Sequence, residues 1–151
     1  ADILPVTLPG QAQLAPQRRD GTGDDKFSLS LTPEGEHTAI LRLGPGGADN
    51  RQLWQKMPQL QGINVTGPAK PGATVLAVHP TLSLDNEPLP VIAYERYGRG
   101  RSMVITTAST WRWQMLLPHE DISHERFWRQ VLRWLAVPAP SPLRSCCRRC
   151  A

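Results

Sequence analysis

Cysteine is missing from the first 145 residues of this 151-residue chain; its three copies, Cys146, Cys147 and Cys150, sit together at the end. That excludes a disulfide framework or a thiol nucleophile over most of the sequence, and three cysteines with no histidine beside them make a poor zinc set. Long apolar runs are missing too. None approaches the roughly eighteen residues of a membrane span, and Ala1 begins no signal peptide, so direct membrane insertion is not expected. Net charge is low once its position is considered. The formal charge is +4, but Arg144, Arg148 and Arg149 follow Pro138 with no acid among them, leaving +1 over residues 1–137. This is no electrostatic footprint for a polyanion, so nucleic acid is not an expected partner.

What remains is globular in balance, 40% hydrophobic and 20% charged. The length suits one domain able to bury roughly two-thirds of its unfolded surface. Fifteen prolines and twelve glycines imply short elements and many turns. "ILPVTL" at 3–8 reads as a short strand or extended entry, its prolines marking an edge. "QRRDGTGDDK" reads as a polar loop, and "FSLSL" alternates as a half-buried strand does. After a turn at "TPEGE", "HTAILRL" reads as a short helix stopped at Gly44. The glycine cluster "GPGGADN" lacks the lysine and hydroxyl residue of a phosphate-binding loop. Asp49 or Asn50 reads instead as the N-cap of a helix, "RQLWQKMP", presenting Leu53, Trp54 and Met57 to a core. The glycosylation-type triplet at Asn64 is of a kind common by chance.

Three strand-like runs follow: "ATVLAV" from Ala73, "LPVIAYERY" from Leu89 and "SMVITTAS" from Ser102. The first and third are nearly continuous apolar runs, as in strands covered on both faces, and predict a sheet sandwiched by helices. Gly98 and Gly100 stand where a tight reversal needs positive φ, which makes "GRGR" a hairpin turn rather than a nucleic-acid grip. "DISHERFWRQVLRWLA" has the pattern of a helix. Asp121 or Ser123 caps it, Glu125 precedes Arg129 by one turn, and Phe127, Val131, Trp134 and Leu135 recur as a buried face. Pro138 and Pro140 end it, and 138–151 reads as a disordered tail rich in Pro, Arg and Cys.

Titratable groups concentrate in "HEDISHE", with His119, Glu120, Asp121, His124 and Glu125. On a helix turning about 100° per residue, histidines five apart lie about 140° apart, so they do not face one metal as a zinc-protease pair does. Acids at a helix start also answer the macrodipole, and no metal or cofactor is expected. A serine nucleophile needs a glycine-flanked elbow, whereas Ser109 is followed by Thr110 and Trp111. The catalytic candidates are therefore His79, at the end of "ATVLAV", and the pair His119 and Glu120. Trp111 and Trp113 flank Arg112, and with Arg99 and Arg101 they form the candidate ligand-binding surface, through cation–π or anion contacts at the carboxyl end of a strand. The plainer alternative packs one tryptophan under the final helix and lets the arginine reach solvent or Glu95.

Taken in order, "LPV", "LTPEGEHTAILRL", "LWQKMPQLQGIN", "KPGATVLAVHP", "VIAYERYGRGRSMVITTASTWRWQM" and "HERFWRQVLRWL" resemble the class I glutamine amidotransferase-like domain. The likeness is to the version found in large bacterial membrane-anchored proteins, often beside von Willebrand factor A-type domains. It covers residues 1 to about 136 and implies an α/β fold: a flavodoxin-like three-layer sheet with helices on both faces. Residues 1–137 would be its carboxyl-terminal portion, incomplete at the amino end. Active members use a cysteine on an elbow, activated by a later histidine with a glutamate usually one residue away. The chain departs from this pattern. No cysteine precedes Cys146, the elbow would lie before Ala1, and "MVITTA" runs into Ser109, Thr110 and Trp111 where the histidine would fall. His119 and Glu120 are adjacent, and far past that strand.

The resemblance therefore implies a fold kept and a chemistry lost: a non-catalytic binding or assembly module of a larger membrane-associated protein, partnered by the other domains of that polypeptide. One alternative is an amidotransferase or related hydrolase whose nucleophile lies upstream, with His119 or His79 as base. Another is a small-molecule or carbohydrate binder using Trp111, Arg112 and Trp113. A truncated sheet also exposes an unpaired edge, which predicts self-association or marginal stability of the isolated chain.

Overall fold

The computed structural model of the chain describes residues 3–8, 26–44, 47–84, 86–98 and 100–136. Arg99, the tail with its three cysteines, all of "QRRDGTGDDK" but Lys26, and the capping side chain expected of Asp49 lie outside the described residues. Six strands and four α-helices follow in order: β1 (Lys26–Phe27), β2 (Ser30–Leu31), α1 (Pro33–His37), α2 (Gly47–Lys56), β3 (Leu60–Gln61), β4 (Thr74–Leu84), β5 (Glu87–Tyr97), β6 (Gly100–Ile105), α3 (Trp111–Leu116) and α4 (Ser123–Ala136). One sheet has the order β2-β4-β5-β6, and a second consists of β1 and β3. The expected half-buried strand "FSLSL" is thus split between two sheets, and "ILPVTL" contributes a single bridge, Val6 to Ala69.

The fold is mixed α/β, and all the described strand pairs are antiparallel. A flavodoxin-like layer is built on parallel strands, which need long crossovers; β4, β5 and β6 instead follow one another through two-residue reversals. In the first, Leu84 pairs with Glu87 and Asn86 takes a φ of 67°. In the second, Tyr97 pairs with Gly100 and Gly98 takes a φ of 57°, so the "GRGR" turn is present. Asn and Gly occupy the left-handed region at least cost, which fixes both turns. The strand buried on both faces is β5, where Leu89, Val91, Ile92 and Ala93 are all buried. β6 is only half-buried, contrary to its apolar sequence, because it is the last strand of the order. Pro88 and Pro90 are tolerated in β5 because they lie past the end of its pairing with β6 and beside register shifts on β4.

α1 forms within the predicted turn "TPEGE". Pro33 starts it, and Thr32 caps it by accepting from the Gly35 amide at 3.0 Å. The same hydroxyl donates to Val75 O at 2.7 Å, fastening the helix to β4. "HTAILRL" gives only a 3-10 turn at Ala39–Leu41. Ile40, Leu41 and Leu43 all enter the core, a spread too wide for one face of a regular helix. α2 begins earlier than expected, so Asn50 lies inside it rather than capping it. The buried Asn50 Oδ1 accepts from the Leu43 amide at 2.7 Å, tying the helix back across the preceding loop.

Trp54 of α2, Trp113 of α3 and Phe127 of α4 meet edge to face at the centre of the core, with centroids 5.3 to 6.1 Å apart. α4 turns Phe127 and Val131 inward, while Asp121 Oδ1 accepts from the Ser123 amide at 2.8 Å and Glu125 pairs with Arg129. Leu135 stays at the rim, 36% exposed, because it lies about 80° around the helix from Phe127.

Candidate functional site

The segment after β6 is where the resemblance would place a catalytic histidine, and here it is a clamp of small hydroxyls. Thr106 donates from Oγ1 to Pro90 O at 3.1 Å, and its backbone amide bonds Val91 O. Thr107 Oγ1 donates to Gly62 O at 2.8 Å and lies 2.8 Å from Ser109 Oγ, which accepts from the Gln61 amide at 2.9 Å. All three residues are buried. Each hydroxyl satisfies backbone that the core would otherwise strand. Trp113 completes the clamp by donating its indole N–H to Pro58 O at 2.9 Å. Ser109 is therefore a structural hydroxyl.

His79 is buried at a register shift of β4, packed on Phe27 with centroids 4.4 Å apart. Its Nδ1 accepts from the Leu82 amide at 3.0 Å and the Thr81 amide at 3.2 Å. Burial lowers its pKa below the ordinary value, which favours the neutral ring carrying its proton on Nε2. A base needs a free acceptor nitrogen aimed at a substrate, and here that nitrogen holds a strand together.

His119 and Glu120 form an exposed turn between α3 and α4. Beside it opens a cleft of about 430 Å³ lined by Leu43, Leu53, Glu120, Asp121, Ile122 and Arg126 among others; His119 is not among its lining residues. Two of the charged groups there already serve the fold. Asp121 caps α4, and Arg126 Nη1 donates to Leu43 O. His79 and the His119–Glu120 turn are not brought together at this cleft, and among the described residues no group of three His, Cys, Asp or Glu side chains is placed to hold a metal.

The arginines and tryptophans divide into separate sites. Trp113 is buried under α4 against Phe127. Trp111 is 57% exposed, with the Arg112 guanidinium 5.9 Å from its ring centroid. Arg112 Nη1 reaches Gln61 Oε1 at 3.2 Å rather than Glu95. Arg101 does not join them: it lies over Trp134 at 4.7 Å and donates to Trp134 O at 3.0 Å. There it answers the unsatisfied carbonyls and negative pole at the carboxyl end of α4. The roles of Thr106 and Thr107 had no signal in the sequence, because each is defined by a backbone partner distant along the chain, and that of Asn50 was missed because its partner, the Leu43 amide, lies across a loop rather than at a helix start.

Comparison of the chain with family models, with curated proteins and with solved structures finds no match. Among the described residues no helix is long and apolar enough to cross a membrane.

Proposed function

We propose that the chain is a non-catalytic glutamine amidotransferase-like domain, acting as a binding or assembly module of a larger membrane-associated bacterial protein. The observation that carries this reading is the clamp after β6. Where active members present a histidine to solvent, Thr106, Thr107, Ser109 and Trp113 are buried and their polar atoms are taken up by Pro90, Gly62, Gln61 and Pro58. A hydrolase reading needs His79 or His119 as base; the Nδ1 of the first is occupied by two backbone amides, and the second sits on an exposed turn. The flavodoxin-like layering belongs to this same proposal and calls for parallel strands in addition to the antiparallel ones described.

The test is ammonia release from glutamine by the full chain. No turnover above the uncatalysed background is expected; turnover abolished by His119→Ala would overturn the proposal. The exposed Trp111 beside Arg112 supports a second reading, a binder of small anionic or carbohydrate ligands. Tryptophan fluorescence unchanged across a panel of such ligands would count against it.

A further inference from the structure

Near the reversal between β5 and β6, two positive charges face each other. The register sets Arg96 of β5 directly opposite Arg101 of β6, so both side chains leave the same face of the sheet. That face is the one α4 covers, since Tyr94, two residues before Arg96, meets Trp134 with ring centroids 4.7 Å apart. Thr106 N bonds Val91 O, and counting along the ladder from there makes Arg96 and Arg101 a non-hydrogen-bonded pair. In such pairs the Cα atoms lie about 4.5 Å apart and the side chains are closest. Like charges in that position destabilise a sheet.

The surroundings do not offset this repulsion. Glu95 stands between the arginine and Tyr94 in sequence, but its register partner is Ser102, so it projects from the opposite face. Arg96 is exposed and makes no hydrogen bond or ion pair among the described residues. The last turn of α4 adds a further cation, the exposed Arg133, and no Asp or Glu follows Glu125 in the sequence. Arg101 is held in place: it stacks 4.7 Å over the Trp134 ring and donates from Nη1 to Trp134 O at 3.0 Å. That bond takes one of the five N–H donors of the guanidinium and fixes its plane without removing its charge. Arg96 has no such anchor.

We propose that Arg96 and Arg101 form an oxyanion clamp whose ligand is a phosphate group. Arg101 supplies a charged fork already fixed by α4, and Arg96 closes on the ligand from the opposite strand. A phosphate near two negative charges answers both guanidinium groups and offers acceptor oxygens to each, whereas a carboxylate matches only one of the charges. Binding turns the cross-strand repulsion into a bridge. The clamp belongs to the hairpin and the end of α4, apart from Trp111 and Arg112 of α3, and does not depend on the non-catalytic reading.

An NMR titration of the full chain with inorganic phosphate, at constant ionic strength set with chloride, tests it. Saturable shifts are expected at the Nε–H groups of Arg96 and Arg101 and at the Trp134 indole, with a dissociation constant of about 1 mM. Arg96→Gln should weaken binding by about tenfold or more with an unchanged circular dichroism spectrum, while Arg42→Gln, an exposed arginine elsewhere, should leave it intact. Shifts that grow linearly, that spread over all arginines, or that survive Arg96→Gln overturn the clamp. In chloride alone Arg96→Gln should melt no lower than the wild type, because it removes a like charge; a lower melting temperature would make Arg96 a structural residue and also overturn the proposal. Cosedimentation with vesicles of phosphatidylcholine and phosphatidic acid, but not of phosphatidylcholine alone, and lost in Arg96→Gln, would place the phosphate on a lipid surface. Binding of free phosphate without cosedimentation would place it on a soluble ligand.

Discussion

Gly35 brings α1 directly against the backbone of β4. A Cβ added there would stand 1.9 Å from Leu76 O, a backbone atom with no freedom to withdraw. Gly35→Ala is expected to cost about 1–3 kcal/mol, the scale of an overpacked core, measurable as a lower urea midpoint at unchanged slope. His79 gives stability a pH dependence. Its folded pKa lies below the unfolded value of 6.5, so protonation favours the unfolded chain. The contribution is whole above about pH 6.5 and is lost as pH falls from there toward the lowered folded value. His79→Asn keeps an acceptor for the two amides without titrating, and melts on either side of about pH 6.5 should differ less than in the wild type. Glu36, held below its usual pKa by its hydrogen bonds to Arg51, acts in a separate window. Its contribution is present above 4.5 and fades as pH falls through the folded value.

Among the elements, α4 and the β5–β6 hairpin were the most legible. Their signals are local: helical recurrence from Phe127 to Trp134, and glycine at the "GRGR" reversal; the β4–β5 reversal at Asn86 was not read, and β4 runs on past His79 to Leu84. α1 was not legible, because it exists through Thr32, whose hydroxyl both caps the helix and reaches Val75 O. "HTAILRL" misled for the opposite reason, since its apolar residues satisfy the core rather than a helical face. The clamp after β6 joins three elements, and Ser109→Ala would leave the Gln61 amide unpaired. A loss of about 1–3 kcal/mol is expected in equilibrium unfolding. Trp113→Ala should cost about 3–5 kcal/mol, because it empties the centre of the aromatic cluster as well as stranding Pro58 O.

For the whole molecule, mixed α/β character was legible from the alternation of strand-like and helical runs, and the "GRGR" reversal made one antiparallel pair legible, but the antiparallel course of the other described pairs was not. Apolar content alone marked β4 and β6 as doubly covered, whereas β6 ends the order and is half-buried, β4 is buried only around Leu76, Ala77 and His79, and the longest buried run falls in the inner strand β5. The candidate site was legible only as a set of residue types. Sequence proximity grouped Arg101 with Arg112, while the fold sends one to the end of α4 and the other to Gln61. The central claim is that the buried hydroxyls after β6, Ser109 among them, are committed to backbone partners, as the proposed non-catalytic module requires.

Hydrogen exchange at the Gln61 amide tests that claim most directly, since this N–H donates to the one serine hydroxyl that a nucleophile would need free. Strong protection in the wild type, reduced by Ser109→Ala, is the expected result. An unprotected amide together with covalent labelling of Ser109 by a serine-directed phosphonate would contradict it.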